Sequence, residues 1–385
     1  MSHRKLKLRR LRPVEQLFCH CLADAPLGAG TDEVSDDELW EFACREDAQS
    51  IVGRRFAMEE TRGAPRWQEA VARVRGTLTL YLQQLDRVAT ALATEGIPLI
   101  ALKNSGIARG LFPDLAGCPM GDIDVLVSPG DFRRAHEVMK RLGFELGNRS
   151  PFEMSDIEEA EQHGGAEYTF ELADGSTLWF ELQWRPVAGR WIRPEQEPEA
   201  DELIANSVSI TGTDVRLLGP EDNLLQVCLH TAKHTFVRAP GFRLHTDVDR
   251  IARRCTIDWD QFCARVERIG VRTAVYLSLL IPKELLGTPV PCDVLERLNF
   301  APRKHRIMLR WLEKVGWFNP NQKKWGKLGY IVFNFLLYDD VSGVVRAVFP
   351  DQTWMQERYG ITSRWSLPWC YARRIADLLL KRAKT

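Results

Sequence analysis

The chain has 385 residues, of which 45% are hydrophobic and 27% charged, and its 52 basic and 52 acidic side chains leave a formal net charge of zero. That length exceeds one ordinary hydrophobic core, and the composition excludes a disordered chain. Balanced charge argues against a general binder of nucleic acid or membrane surface and confines basic character to local patches at the two ends.

The basic opening MSHRKLKLRRLRPVEQLF leads into no apolar core or small-residue cleavage site, so it does not read as a signal peptide. Asp36-Asp37-Glu38 opens an amphipathic helix expected to run through Phe56. Val71, Val74, Leu78, Leu82, Leu85, Val88 and Leu92 recur at the helical period from Trp67 to Glu95, and Gly96-Ile-Pro stops them. Pro98–Leu102 reads as a buried strand, Lys103-Asn-Ser-Gly106 as a turn, and 107–112 as helix. A second strand follows at Asp122–Val127, and Ser128-Pro-Gly-Asp131 caps a helix that carries Phe132, Ala135, Val138, Met139 and Leu142 and ends at Gly143. Tyr168–Leu172 and Leu178–Trp184 flank an Asp-Gly turn, which signals a hairpin.

The Pro/Glu-rich stretch 189–202 reads as loop or linker, and beyond Pro220 the pattern is helical: 221–237, 247–254, 258–269, 271–286, 303–315 and a basic tail after Trp369. The expected organisation is an N-terminal helical segment over 1–65, an α/β core with a mixed sheet over 66–205, and a helical C-terminal domain over 206–385. The longest apolar run, Leu328–Tyr338, falls short of the ~20 residues that span a bilayer. Nine cysteines without a CxxC pair read as reduced thiols, and Cys19-His20-Cys21 is too tightly spaced for zinc, so the cytoplasm is the expected compartment.

The chemistry gathers at GDIDVLV, residues 121–127. Side chains alternate along a strand, so Asp122 and Asp124 share one face about 7 Å apart while Ile123 and Val125 share the other. Two carboxylates in an apolar run repel each other unless a cation lies between them, and Asp oxygens suit Mg2+. Glu181 alternates with Phe180 and Leu182 on a later strand and is the candidate third metal ligand, a third acid that would allow a second ion about 4 Å away. Upstream, Lys103, Asn104, Ser105 and Gly106 form a small-residue turn into a helix, where backbone N–H groups suit a polyphosphate. The plain alternative for either acidic strand is an edge with one solvated face.

Two further constellations stand in the second lobe. His230, Lys233 and His234 lie opposite the apolar face of helix 221–237, which makes Lys233 a triphosphate contact if that face meets the cleft, or a solvated charge if it does not. Asp247-Val-Asp249 repeats the D-x-D spelling but precedes Arg250, so it reads as the acidic start of a helix whose two carboxylates diverge; Arg243 and Asp247 read as a structural pair.

The order of strand, small-residue turn, helix, D-x-D strand, helix and third acidic strand resembles the DNA polymerase beta-like nucleotidyltransferase superfamily. LIALKNSGIARGLFP, GDIDVLVSPGDFRRAHEVMKRLGFEL, FELQW and EDNLLQVCLHTAKHTFVRAPGFRLHTDVDRI are closest to a bacterial branch of uncharacterised nucleotidyltransferases, over about residues 70–290; Trp354, Arg358 and Gly360 extend the likeness. The resemblance implies Asp122 and Asp124 as ligands of Mg2+ (Mn2+ as the alternative ion), Glu181 as the carboxylate that positions or activates an acceptor, and Ser105 with Gly106 at the phosphates of an NTP. It implies transfer of an NMP, with AMP expected, to a hydroxyl or phosphate of a small molecule or protein, with pyrophosphate leaving; the zero net charge argues against a polynucleotide acceptor. Asn104 stands where the branch has Gly and Gln183 where it has His, which motivates the rival reading of a non-catalytic nucleotide-binding sensor or scaffold.

Overall fold

The computed structural model describes residues 11–23, 33–60, 64–147, 156–188, 191–350 and 367–380, with the single positions 352, 355 and 359. The basic residues 1–10 and the tail positions Trp354, Arg358 and Gly360 singled out above lie outside them.

Helices open the chain: α1 (Pro13–Leu22), α2 (Asp36–Arg45), α3 (Gln49–Glu59) and α4 (Pro65–Thr94). The single helix expected from Asp36 to Phe56 is therefore two, because Asp47 takes a left-handed φ of 55° between α2 and α3. Ser35 supplies the cap its type predicts, its hydroxyl accepting from Glu38 N–H. The long α4 buries Trp67, Val71, Leu78, Leu85, Val88 and Leu92 as one stripe.

The sheet is mixed and seven-stranded, with strands β1 (Leu99–Ala101), β2 (Asp122–Leu126), β3 (Glu145–Leu146), β4 (Gly165–Glu171), β5 (Thr177–Gln183), β6 (Val208–Ser209) and β7 (Val215–Leu217) in the order β3-β4-β5-β2-β1-β7-β6. β2 lies between β1, to which it is antiparallel, and β5, to which it is parallel. The hairpin signal is realised as the antiparallel pair β4–β5. β3, β6 and β7, two or three residues each, carry no readable alternation, and the last two extend the sheet beyond residue 205.

Ile123, Val125, Phe180 and Leu182 are fully buried and share a core with Phe132, Ala135, Val138 and Met139 of α5 (Phe132–Arg141). Beside the interior strand β1, Ile100, Leu102 and Leu126 pack with Ala200, Leu203 and Leu218. The architecture is α/β, with helices α6 (Pro220–Lys233), α7 (Arg243–Arg254), α8 (Trp259–Ile269) and α9 (Arg272–Leu286) continuing the chain. α6 ends four residues earlier than its apolar pattern suggests, as Thr235 and Phe236 adopt left-handed φ. α7 begins four residues earlier than expected, so Asp247 and Asp249 sit inside it rather than at its start. Among the described residues no helix is long and apolar enough to cross a membrane.

Candidate active site

The turn after β1 sets the geometry. Lys103–Gly106 forms a single α-helical turn that runs into a π-helical turn at Ile107–Leu111. Lys103 enters it with a left-handed φ of 52°, an uncommon conformation for a residue with a Cβ that the surrounding structure must hold in place. Gly106 is dictated by space: a Cβ there would lie 2.6 Å from the Ala101 carbonyl oxygen. The Ser105 hydroxyl accepts from Asp124 N–H at 2.9 Å, and Leu102 N–H donates to the Asp124 carbonyl at 2.9 Å. The turn is thereby tied to the acidic strand.

Parallel pairing of β2 with β5 places Asp122 opposite Trp179 and Asp124 opposite Glu181. Registered partners project to one side of a sheet, so Asp122, Asp124, Glu181 and Gln183 share a face. The Lys103 ammonium reaches the same place, 2.6 Å from Asp124 Oδ1 and 3.9 Å from Glu181 Oε2. Gln183 Nε2 donates to the same Asp124 oxygen at 3.0 Å, so the residue that departs from the branch pattern serves as a neutral donor to the buried carboxylate.

The electrostatics follow from this crowding. Burial raises the Asp124 pKa, against the pull of Lys103 and with the help of the Glu181 charge. Burial acts on Glu181 in the same direction, but Lys103, a hydrogen bond shared with Asp124 and the Lys233 charge outweigh it and hold that carboxyl low. Lys103 is pushed down by burial and raised further by Asp124, Glu181 and Asp122, so it stays charged.

From α6, the half-buried His230, Lys233 and His234 meet this region. Lys233 Nζ donates to the Val187 carbonyl at 2.9 Å; burial and Lys103 lower its pKa, while Glu181 and Asp124 oppose them. His230 is held neutral by burial and Lys103, and His234 is brought down to about 3 by burial and Lys233. Periodicity reports which positions are polar, and it cannot report that one of them, Lys233, reaches a loop carbonyl.

A cavity of about 80 Å³ opens over the site, lined among others by Lys103, Asn104, Asp122, Asp124, His230 and Arg243. Asp247 lines it too, which the sequence reading missed. The Arg243–Asp247 pair is not formed: Arg243 donates to Asp47 Oδ2 at 3.0 Å and to the Pro119 carbonyl at 3.1 Å. Asp247 instead has Arg250 Nη1 at 3.6 Å. The i, i+4 spacing of Arg243 and Asp247, one helical turn apart, was the signal that could have placed both on the cavity side. Asp249 points elsewhere, to Arg253 at 2.9 Å and Thr288 at 2.6 Å, so the two acids do diverge.

Hard carboxylate oxygens are the donors a hard divalent ion takes, and the Lys103 ammonium is a stand-in cation resting on them. Among the described residues no three His, Cys, Asp or Glu side chains are gathered as a ready metal cage. An ion held by Asp122 and Asp124 would take its remaining ligands from substrate and water, the usual manner of Mg2+.

The chain matches, over residues 32–287, the model of a family described as uncharacterised nucleotidyltransferase. That stretch covers most of the sequence, and the chain belongs to this family of nucleotidyl-transferring enzymes. No curated protein and no solved structure is a match for it.

Proposed function

We propose that the protein transfers an NMP, AMP by expectation, from an NTP to an acceptor hydroxyl or phosphate of a small molecule or protein, in the cytoplasm and with Mg2+. The observation that carries this reading is the register of β2 against β5, which sets Glu181 beside Asp124 and keeps Asp122 on the same face. An acceptor oxygen attacks the α-phosphorus, the bond from that phosphorus to the bridging oxygen of the β-phosphate breaks, and pyrophosphate departs with the bond's electrons. Glu181, held ionised by Lys103, is the group placed to take the acceptor's proton. Asp122 and Asp124 would hold the ion, which supplies positive charge to phosphate oxygens in the transition state. Lys103 has two roles in this reading: it neutralises the carboxylates before substrate arrives, and it donates to the phosphates afterwards. Ser105 and Gly106 shape the turn that brings backbone close to the triphosphate, with Asn104 beside them and Lys233, whose charge acts on Glu181, as a further triphosphate contact.

The test uses purified protein, each NTP labelled at the α-phosphate, Mg2+ and cell extract as the acceptor source. Labelled product with stoichiometric pyrophosphate is expected, most from ATP. Tight NTP binding with no transfer to any acceptor would overturn the reading in favour of the sensor.

A further inference from the structure

The cavity over the acidic strand has a second wall that the proposed reaction has not used. Asp247 Oδ1 is buried there without a hydrogen-bond partner, on a side chain only 4% exposed. The nearest cation, Arg250 Nη1, stays 3.6 Å away while Arg250 donates to the Gly117 carbonyl, and Arg243 donates to Asp47 and Pro119 but keeps a buried Nε without a partner. Asn104, another residue lining the same cavity, has an Oδ1 that is likewise buried and unpartnered. A buried polar atom without a partner costs ~1–3 kcal/mol, so these two acceptors and the Arg243 Nε donor, on residues lining one cavity, describe a ligand by its complement: a group such as a hydroxyl that both donates and accepts. Asp249, two residues along the same helix, shows the contrast, since Arg253 and Thr288 satisfy it.

Resting on the nucleotidyl-transfer reading, we propose that Asp247 and Asn104 form the acceptor subsite and that the acceptor enters as a polyol or amino alcohol, presenting a hydroxyl or amine rather than a phosphate. A phosphate acceptor would bring its negative charge against the carboxylates of Asp122, Asp124 and Asp247 together. A hydroxyl-bearing end satisfies both orphan oxygens and stays neutral beside the α-phosphate. The cavity has room for such an end and not for a whole nucleotide, which must extend outside it.

The experiment uses the full chain with Mg2+ and α-labelled ATP, offering glycerol and ethanolamine as neutral and amino-alcohol probes and labelled inorganic phosphate as the anionic one. Adenylylated glycerol or ethanolamine is expected, with no label passing from phosphate into ADP. Asp247→Asn should raise the half-saturating probe concentration about tenfold, as loss of one charged hydrogen bond implies, and leave the calorimetric ATP Kd within about twofold. Asp249→Asn should shift neither. Transfer to phosphate, an unchanged half-saturating concentration in Asp247→Asn, or an equal loss of ATP affinity in that variant would each overturn the assignment. Should Asp247→Asn not fold, the wild type's choice between glycerol and phosphate still decides it. A wild type that binds ATP and releases no pyrophosphate with any probe sinks the transfer reading itself, and this subsite with it.

Discussion

Asp124 and Glu181 stand opposite each other in the parallel β2–β5 register, and a single ammonium, that of Lys103, lies 2.6 Å from one and 3.9 Å from the other. Two carboxylates this close in a buried place are tolerated because the cation is there. Lys103→Met should therefore cost about 3–5 kcal/mol of stability, the range for stranding one half of a buried ion pair. Urea unfolding at neutral pH measures it; a loss below about 1 kcal/mol would mean that Gln183 and solvent suffice.

Ser105 acts on the site through the backbone, since its hydroxyl accepts from Asp124 N–H. Ser105→Ala leaves that buried donor without a partner and should lower stability by about 1–3 kcal/mol. Because the acidic strand loses one of its two ties to the turn, transfer should fall further than the melting temperature suggests, which pyrophosphate release at a temperature well below the melt will show.

Gly106 tests the closeness of the turn to β1. Gly106→Ala forces a Cβ to within 2.6 Å of the Ala101 carbonyl, so the turn must shift. A cost of about 1–3 kcal/mol is expected by denaturant titration, as for other overpacked sites. Gly121→Ala is the control, because nothing lies within 4 Å of a Cβ there.

Burial pushes the Asp247 carboxyl from an unfolded value near 3.8 up to about 6, with Arg250 and Arg243 opposing. The folded chain then binds more protons than the unfolded one inside that window, so stability contributed by this group is present below pH 3.8 and is lost as pH rises to about 6. Asp247→Asn removes the penalty. Relative to wild type it should gain about 3 kcal/mol between pH 4 and pH 8, from roughly two units at 1.36 kcal/mol each. A pH-independent difference between the two unfolding curves would contradict the assignment.

Much of this arrangement is legible in the residues. The stripe Val71, Leu78, Leu85, Val88 and Leu92 marks α4, and the alternation around Ile123 and Phe180 marks the two acidic strands, because both patterns persist long enough to show a period. β6 and β7 escape because two or three residues have no period. The start of α7 escapes because Phe242 makes no side-chain cap, which left Asp247 as the apparent first acid and hid its place at the cavity. Gln183 and Ser105 were visible as residues but not as partners of Asp124, since a side-chain hydrogen bond across 59 or 19 residues leaves no trace in local pattern.

The central claim is that Asp122 and Asp124 carry nucleotidyl transfer. The most direct measurement is release of pyrophosphate from α-labelled ATP, coupled to label on acceptor, in the wild type, Asp122→Asn and Asp124→Asn, each verified as folded by its melt. The account predicts a fall of at least about a thousandfold in both variants, several kcal/mol of lost transition-state stabilisation. Transfer retained within about tenfold of wild type in either variant would contradict it.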